Sequence, residues 1–232
     1  MSLPPSQHKQ RFVERMFDEI APRYDFMNRL MTFGIDRSWR RAAVDALAIE
    51  PGAVVVDIGC GSGDLSLEIA ERGATAVGVD PAAGMLHLAR RRAPTTELVR
   101  AVGEALPLAS ASCDGIVSGF ALRNWSSVAE VLAECGRILR HDGRLAILEI
   151  DVPEWAPIRT GFRLYFGSIV PFLGSMLSSP EAYRYLAESI AYLPPDVELH
   201  RMLIDAGFDD IAKTRLTGGV AQLITATRKR DV

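Results

Sequence analysis

The chain has few cysteines, few histidines and no long apolar run, and each shortage excludes a class of protein. Its three cysteines, Cys60, Cys113 and Cys135, show neither CxxC nor metal-ligand spacing, and one would stay unpaired in any disulfide scheme. A reducing, cytoplasmic compartment is therefore expected, with no metal site. The four histidines, His8, His87, His141 and His200, lie outside every recognisable motif. The most apolar stretch, "GSIVPFLGSML" at 167–177, is too short to span a bilayer and contains Pro171. The opening "MSLPPSQHKQRF" lacks the apolar centre of a secretion signal. Repeats and low-complexity segments are absent as well. A net charge of −3 and a pI near 5.9 argue against a nucleic-acid partner, which usually meets a strongly basic domain. The clusters Arg90-Arg91-Arg92 and Arg228-Lys229-Arg230 read as a helix end and a solubilising tail.

What is present is an α/β pattern. The 232 residues, 48% hydrophobic and 24% charged, suffice for one sizeable core. Short β-rich runs at 53–59, 74–80, 97–102, 113–119 and 144–150 alternate with helical patterns at Asp64–Arg72, Ala82–Arg92 and Val128–Arg140. Such alternation predicts a doubly wound, mostly parallel sheet. Two last runs, "DDIAKTRL" and "VAQLITATR", flank Thr217-Gly218-Gly219 and predict a tight hairpin, so the seven-stranded sheet should end antiparallel. A single domain is expected over 1–232. It comprises an N-terminal helical lid at 1–50, a cofactor-binding core at 51–150, a substrate-side insertion at 151–195, and a last helix and hairpin at 196–232. In the lid, Phe12, Val13, Met16, Phe17 and Ile20 fall on one helical face. The insertion is aromatic-rich and lies beyond the carboxyl end of a strand, where doubly wound folds bind ligands; extra packing that covers the sheet edge is the alternative reading.

The stretch "VVVDIGCGSGDLSLEI" (54–69) raises the functional question. Gly59, Gly61 and Gly63 make a tight bend after the first strand, and Asp80 follows Gly59 by 21 residues at the end of the second. A ribose carboxylate there suits either a dinucleotide or S-adenosylmethionine. A dinucleotide would rest its pyrophosphate on the helix N-terminus. Asp57 before the bend and Asp64 after it would repel that group, whereas they favour the ammonium and sulfonium of S-adenosylmethionine. Charge selects S-adenosylmethionine.

At these residues the chain resembles class I methyltransferases: "VVVDIGCGSGD", "VGVD" and "GEALPL" look like their cofactor motifs. "MFDEIAPRYDFMNRLMTFGIDRSWRR", "FALRNW", "AYRYLAESIAYLP" and "LTGG" are similar to the ubiquinone/menaquinone biosynthesis C-methyltransferases, with the likeness running from about residue 13 to 229. The resemblance implies a Rossmann-like class I fold. It also implies S-adenosylmethionine as cofactor and methylation of a ring carbon of a polyprenylated quinol, most simply demethylmenaquinol to menaquinol. By position it assigns Ser62, Asp80, Val102 with Gly103, and Gly119 to the cofactor, beside Asp57, Gly59, Gly61 and Gly63 of the bend. Val102 stands where the family often has Asp or Asn against the adenine amine, and Gly119 replaces a serine. The motif after the fifth strand reads "LEIDVP" where the family has "LEFSxP", and the last strand lacks the family's histidine. A methyltransferase for another small molecule, or a non-catalytic binder of the cofactor, would share the cofactor motifs alone.

Methyl transfer needs a carbon nucleophile held in line with the sulfonium, and a cation or strong donor that stabilises the developing phenolate. Arg123 and Asn124, just after the fourth strand, are placed for that role, Arg123 alternatively for a salt bridge at a helix start. Tyr24, with Asp25, is expected in a lid over the site or on a packed surface helix. No general base stands out; Glu149 has a suitable location but could equally orient a backbone, and the proton could leave through water. A polyprenyl tail implies peripheral contact with the inner face of the membrane. The candidates for it are Phe162, Tyr165, Phe166, Ile169, Val170, Phe172 and Leu173, with Arg159, Arg163 and Arg184 for anionic headgroups. A homodimer is compatible with this reading.

Overall fold

The computed structural model describes residues 6–165, 185 and 188–230, and within the first helix the side chains of residues 9–21 and 32. Two helices, α1 (Ser6–Thr32) and α2 (Asp36–Ala46), lead into β1 (Val54–Ile58), α3 (Asp64–Ala70), β2 (Thr75–Val79), α4 (Ala83–Arg92) and β3 (Glu97–Val99). Then come β4 (Cys113–Gly119), a 3-10 turn (Leu122–Asn124), α5 (Val128–Ile138), β5 (Leu139–Ile150) and α6 (Ala156–Leu164). A 3-10 turn (Ser189–Tyr192), α7 (Asp196–Asp205), β6 (Phe208–Leu216) and β7 (Ala221–Arg228) follow. The seven strands lie in the order β3-β2-β1-β4-β5-β7-β6. Only β7 runs against its neighbours, as the sequence predicts.

Period-two alternation divides β1 between two cores. Val56 and Ile58 join Leu132 and Ile138 of α5 and Leu203 of α7 on one face. Val55 joins Val44 of α2 and Ile69 of α3 on the other. Both faces are covered, which is why the central strands carry apolar residues on both. Ile116 and Leu132 are fully buried, and truncating either to Ala should cost about 2–5 kcal/mol. A third cluster seats Val13, Met16 and Ile20 of α1 on Ala82 and Met85, beyond the sheet.

Three boundaries differ from the sequence reading. α5 stops at Ile138 and β5 begins at Leu139, because Leu139 pairs with Cys113 while Arg144 pairs with Gly115. The intervening "RHDG" bulges, with Asp142 at φ 63. β3 ends at Val99, and the chain turns off the sheet to wall a cavity. The last hairpin is not a two-residue turn: Leu216 pairs with Ala221, and Thr217–Gly219 form a 3-10 turn between them. The chain reverses sides between β1 and β4, so a crevice opens at their carboxyl ends, where such sheets bind ligands.

Candidate active site

The crevice is formed by the way β1 ends. The N–H groups of Gly59 and Cys60 both donate to the carbonyl of Val79, at 2.8 and 3.0 Å, and bend the chain across the end of β2. Gly59 has φ 71, and a Cβ there would stand 2.6 Å from that of Ala121; backbone conformation and close approach both demand glycine. Gly63, at φ 85, precedes α3 and lets Ala89 approach to 3.1 Å of a would-be Cβ.

Asp80 closes the bend from β2. Its Oδ2 accepts the N–H of Gly61 at 2.9 Å and its Oδ1 that of Ala82 at 2.9 Å, which leaves acceptor capacity on each oxygen at the cavity wall. Burial pushes the carboxyl up to about 6, with smaller help from Asp18 and Glu14, while the two N–H groups pull the other way.

The cavity opens to solvent, and its empty space, the open part included, is about 760 Å³. Its polar wall comprises Gln10, Glu14, Asp80, Glu104, Asn124 and Ser126; Phe17, Met85, Val102 and Trp125 contribute apolar surface. Among the described lining residues are three carboxylates and no lysine or arginine. Gln10, Val13, Glu14 and Phe17, spaced as one helical face, make α1 part of that wall. Asp18 accepts the N–H of Gly84 at 2.7 Å and so caps α4, whose own N-cap residue, Ala82, cannot. Glu14 pairs with Arg100 at 2.7 Å. Lys9 donates to the carbonyl of Trp125 at 2.7 Å and lies 4.0 Å over the ring of Tyr192; burial lowers its ammonium to about 8 against the pull of Glu104.

The expected site residues fall into three groups. Gly59, Gly61, Asp80, Val102, Gly103, Gly119 and Asn124 line the cavity together. Asn124 accepts from the hydroxyl of the buried Tyr185 at 3.2 Å, and its amide nitrogen lies 3.4 Å from the carbonyl of Phe120. At Gly119 a Cβ would stand 2.7 Å from Leu65 Cδ1, which accounts for glycine in place of serine.

The second group lies around the cavity rather than on it. Asp57 is fully buried; Ser66 donates to its Oδ2 at 2.7 Å, and its Oδ1 has no hydrogen-bond partner among the described residues. Burial raises it to about 7. Ser62 is buried and its hydroxyl accepts from Arg92 at 3.0 Å. Asp64 pairs with Arg92 at 2.6 Å and Arg40 at 3.5 Å, so its charge is answered locally and cannot select the cofactor as the sequence argument supposed. The acids that do meet the cavity are Glu14, Asp80 and Glu104. Arg123 is a buried ion-pair partner of Glu149: Nη1 and the backbone N–H both donate to that carboxylate, and Nε donates to Ser189 at 3.1 Å. Arg123 thus sits in a buried salt bridge, the alternative the sequence left open for it, and is not among the residues lining the cavity.

The third group is Tyr24, whose side chain lies outside the described residues, as do Asp25, Phe166, Ile169, Val170, Phe172, Leu173 and Arg184. The sequence reading singled out the α1 face through Val13 and Phe17 but missed Gln10, Glu14 and Glu104. The signal for α1 was a carboxylate, Glu14, set within an apolar stripe.

The fold and this cavity define a Rossmann-like, class I methyltransferase architecture. A solved S-adenosylmethionine-dependent methyltransferase of Thermotoga maritima superposes with a TM-score of 0.64 at 20% identity, covering 93% of this chain and 99% of that one. The ubiE/COQ5 methyltransferase family model matches residues 5–228, and the chain belongs to that family. The demethylmenaquinone methyltransferase of Thermus thermophilus is 40% identical over 220 residues, covering 92% of this chain and 100% of its own. The ubiquinone/menaquinone biosynthesis C-methyltransferase UbiE of Syntrophotalea carbinolica is 39% identical over 220 residues, covering 92% of each.

Proposed function

We propose that the chain transfers a methyl group from S-adenosylmethionine to a ring carbon of a polyprenylated quinol, converting demethylmenaquinol to menaquinol. The observation that carries the cofactor is the cavity wall. Asp80 and Glu104, with no lysine or arginine among the described lining residues and Glu14 answered by Arg100, suit a ligand bearing an ammonium and a sulfonium and disfavour a pyrophosphate. When bound, the cofactor supplies an electrophilic methyl group. Asp80 receives the ribose hydroxyls on the lone pairs left by Gly61 and Ala82. The amides of the Gly59–Gly63 bend serve the methionine carboxylate, with Asp57 and Ser62 supporting the loop from beneath.

Asn124 is the polar group at the cavity best suited to the quinol oxygen. Tyr185 holds its carbonyl, which turns the amide NH₂ into the available donor for a developing phenolate. Arg123 acts through Asn124: its bonds to Glu149 and Ser189 anchor the turn that carries the amide. The hydroxyl proton leaves through water.

The quinol's tail argues for the membrane surface as the place of capture. Phe33, Trp155 and Leu164 are 76%, 66% and 62% exposed, and the Phe33 ring lies 6.0 Å from that of Tyr165. Arg159 and Arg163, on α6 near these groups, suit anionic headgroups. Replacing Trp155 and Leu164 by Ser should weaken co-sedimentation with anionic liposomes and turnover of a long-tailed quinol, while a tail-less analogue is methylated normally. Equal losses on both quinols would remove the membrane role. A homodimer is the remaining association to test, by sedimentation velocity of the intact chain.

The deciding experiment supplies labelled S-adenosylmethionine with reduced demethylmenaquinone or a benzoquinol precursor. Label should enter the naphthoquinol. Cofactor binding without transfer to any quinol would replace this reading with a non-catalytic one.

A further inference from the structure

The geometry points to Glu104 as the acceptor for the exocyclic amine of the cofactor's adenine, an assignment that rests on S-adenosylmethionine being the ligand of this cavity. In the strand order β3-β2-β1-β4, Asp80 at the end of β2 separates the glycine bend from the segment that leaves β3. With ribose on Asp80 and the methionine portion over the bend, the base extends the opposite way, towards residues 101–104. Pro81, Met85 and Val102 offer apolar surface to the faces of a purine there. Its edge still needs polar partners, because a desolvated amine without an acceptor loses binding energy. Val102 has no side-chain acceptor to give.

Glu104 lines the same cavity two residues further on, beyond a turn closed by Ala105 N–H on the carbonyl of Val102 at 3.3 Å. Its Oε1 accepts the N–H groups of Ser126 at 2.7 Å and Ser127 at 3.2 Å, so the carboxylate is fixed against the start of α5 before any ligand arrives. Its Oε2 accepts no hydrogen bond from a described residue. One oxygen is anchored and the other is left as an acceptor. The residue so anchored at the start of α5 also lines the cavity.

The test uses calorimetry of the intact protein with S-adenosylhomocysteine and with its purine-riboside counterpart, which lacks only the amine. Wild type should prefer the adenosyl ligand by at least about tenfold, the range of a charge-assisted hydrogen bond. In Glu104→Gln the amide oxygen must stay on Ser126 and Ser127, so NH₂ replaces the acceptor and confronts the adenine amine. The adenosyl ligand should then weaken at least about tenfold while the purine-riboside ligand changes little, and the preference should vanish. Equal weakening of both ligands by Glu104→Gln would reduce Glu104 to a cap and overturn the assignment. Equal affinities in wild type would overturn it with no variant needed. Failure of wild type to bind either ligand would instead remove the cofactor reading itself, and this assignment with it.

Discussion

Of the buried acids at the carboxyl ends of strands in this sheet, Asp80 and Glu149 are answered in opposite ways. Asp80, after β2, is met by two backbone N–H groups and lies on the cavity. Glu149, the penultimate residue of β5, is met by the Arg123 guanidinium and by N–H groups of Arg123 and Ile150, and is fully buried. Amide donors stabilise a carboxylate while leaving it lone pairs to offer a ligand. A guanidinium answers its charge and closes it off. The partner, more than the burial, separates a binding acid from a structural one.

The largest expected effect comes from breaking the closed pair. Arg123→Ala strands Glu149 as an uncompensated buried charge, which should cost about 3–5 kcal/mol of stability. For a chain of this length that lowers Tm by roughly 6–20 °C. Arg123→Ala with an unchanged melting curve and lost turnover would return the guanidinium to the substrate and defeat the contrast.

Breaking the open acid should do the reverse. Asp80→Ala removes charge-assisted bonds to the ribose worth about 1.5–3 kcal/mol, so affinity for S-adenosylmethionine should fall roughly 10- to 150-fold. Stability should move by no more than about 1 kcal/mol, because the freed N–H groups border a cavity that water can enter. Calorimetry beside a thermal melt checks both halves. A melt as damaged as that of Arg123→Ala, with affinity retained, would make Asp80 structural.

The half of this contrast that depends on near neighbours was legible in the sequence. The bend, the alternation that makes the sheet, and the carboxylate 21 residues after Gly59 are local spacings. Glu149 was visible, but its partner lies 26 residues away across the sheet, and Ser189 lies 66 residues from Arg123. Nothing in spacing ties those three together. Glu104 sat in plain view in "GEALPL", yet its meaning depends on Ser126 and Ser127, brought to it only when α5 packs on the sheet. Asp64 misled for the same reason: its carboxylate reads as a free charge until Arg40 and Arg92 arrive from two other helices. The missed boundary at Ile138 is likewise a tertiary effect, since pairing with Cys113 overrides helical periodicity.

The smallest expected effect, and the one that sharpens the comparison most, is on pH. Asp80 has a folded-state pKa of about 6 and Asp57 about 7, both above the ordinary value of 3.8, and burial is the chief cause for each. A raised carboxyl pKa stabilises the fold fully below the unfolded value, and that stabilisation is lost as pH rises through the folded value. These two acids therefore make the cofactor-free protein less stable as pH climbs from about 4 to 7. Cofactor binding has the opposite sign. Ribose hydroxyls donate to the ionised carboxylate, so affinity should be full above about pH 6 and fall below it by up to about tenfold per pH unit. Wild type measured by calorimetry between pH 5 and 8 should show that fall, and Asp80→Asn should show a low, flat affinity instead. Asp57→Asn should keep the binding profile of wild type, since Asp57 does not line the cavity, while removing part of the pH slope of the melt. If Asp57→Asn flattened the binding profile and Asp80→Asn did not, the binding acid would be the one inside β1, and the open and closed roles assigned to the ends of these strands would have to be redrawn.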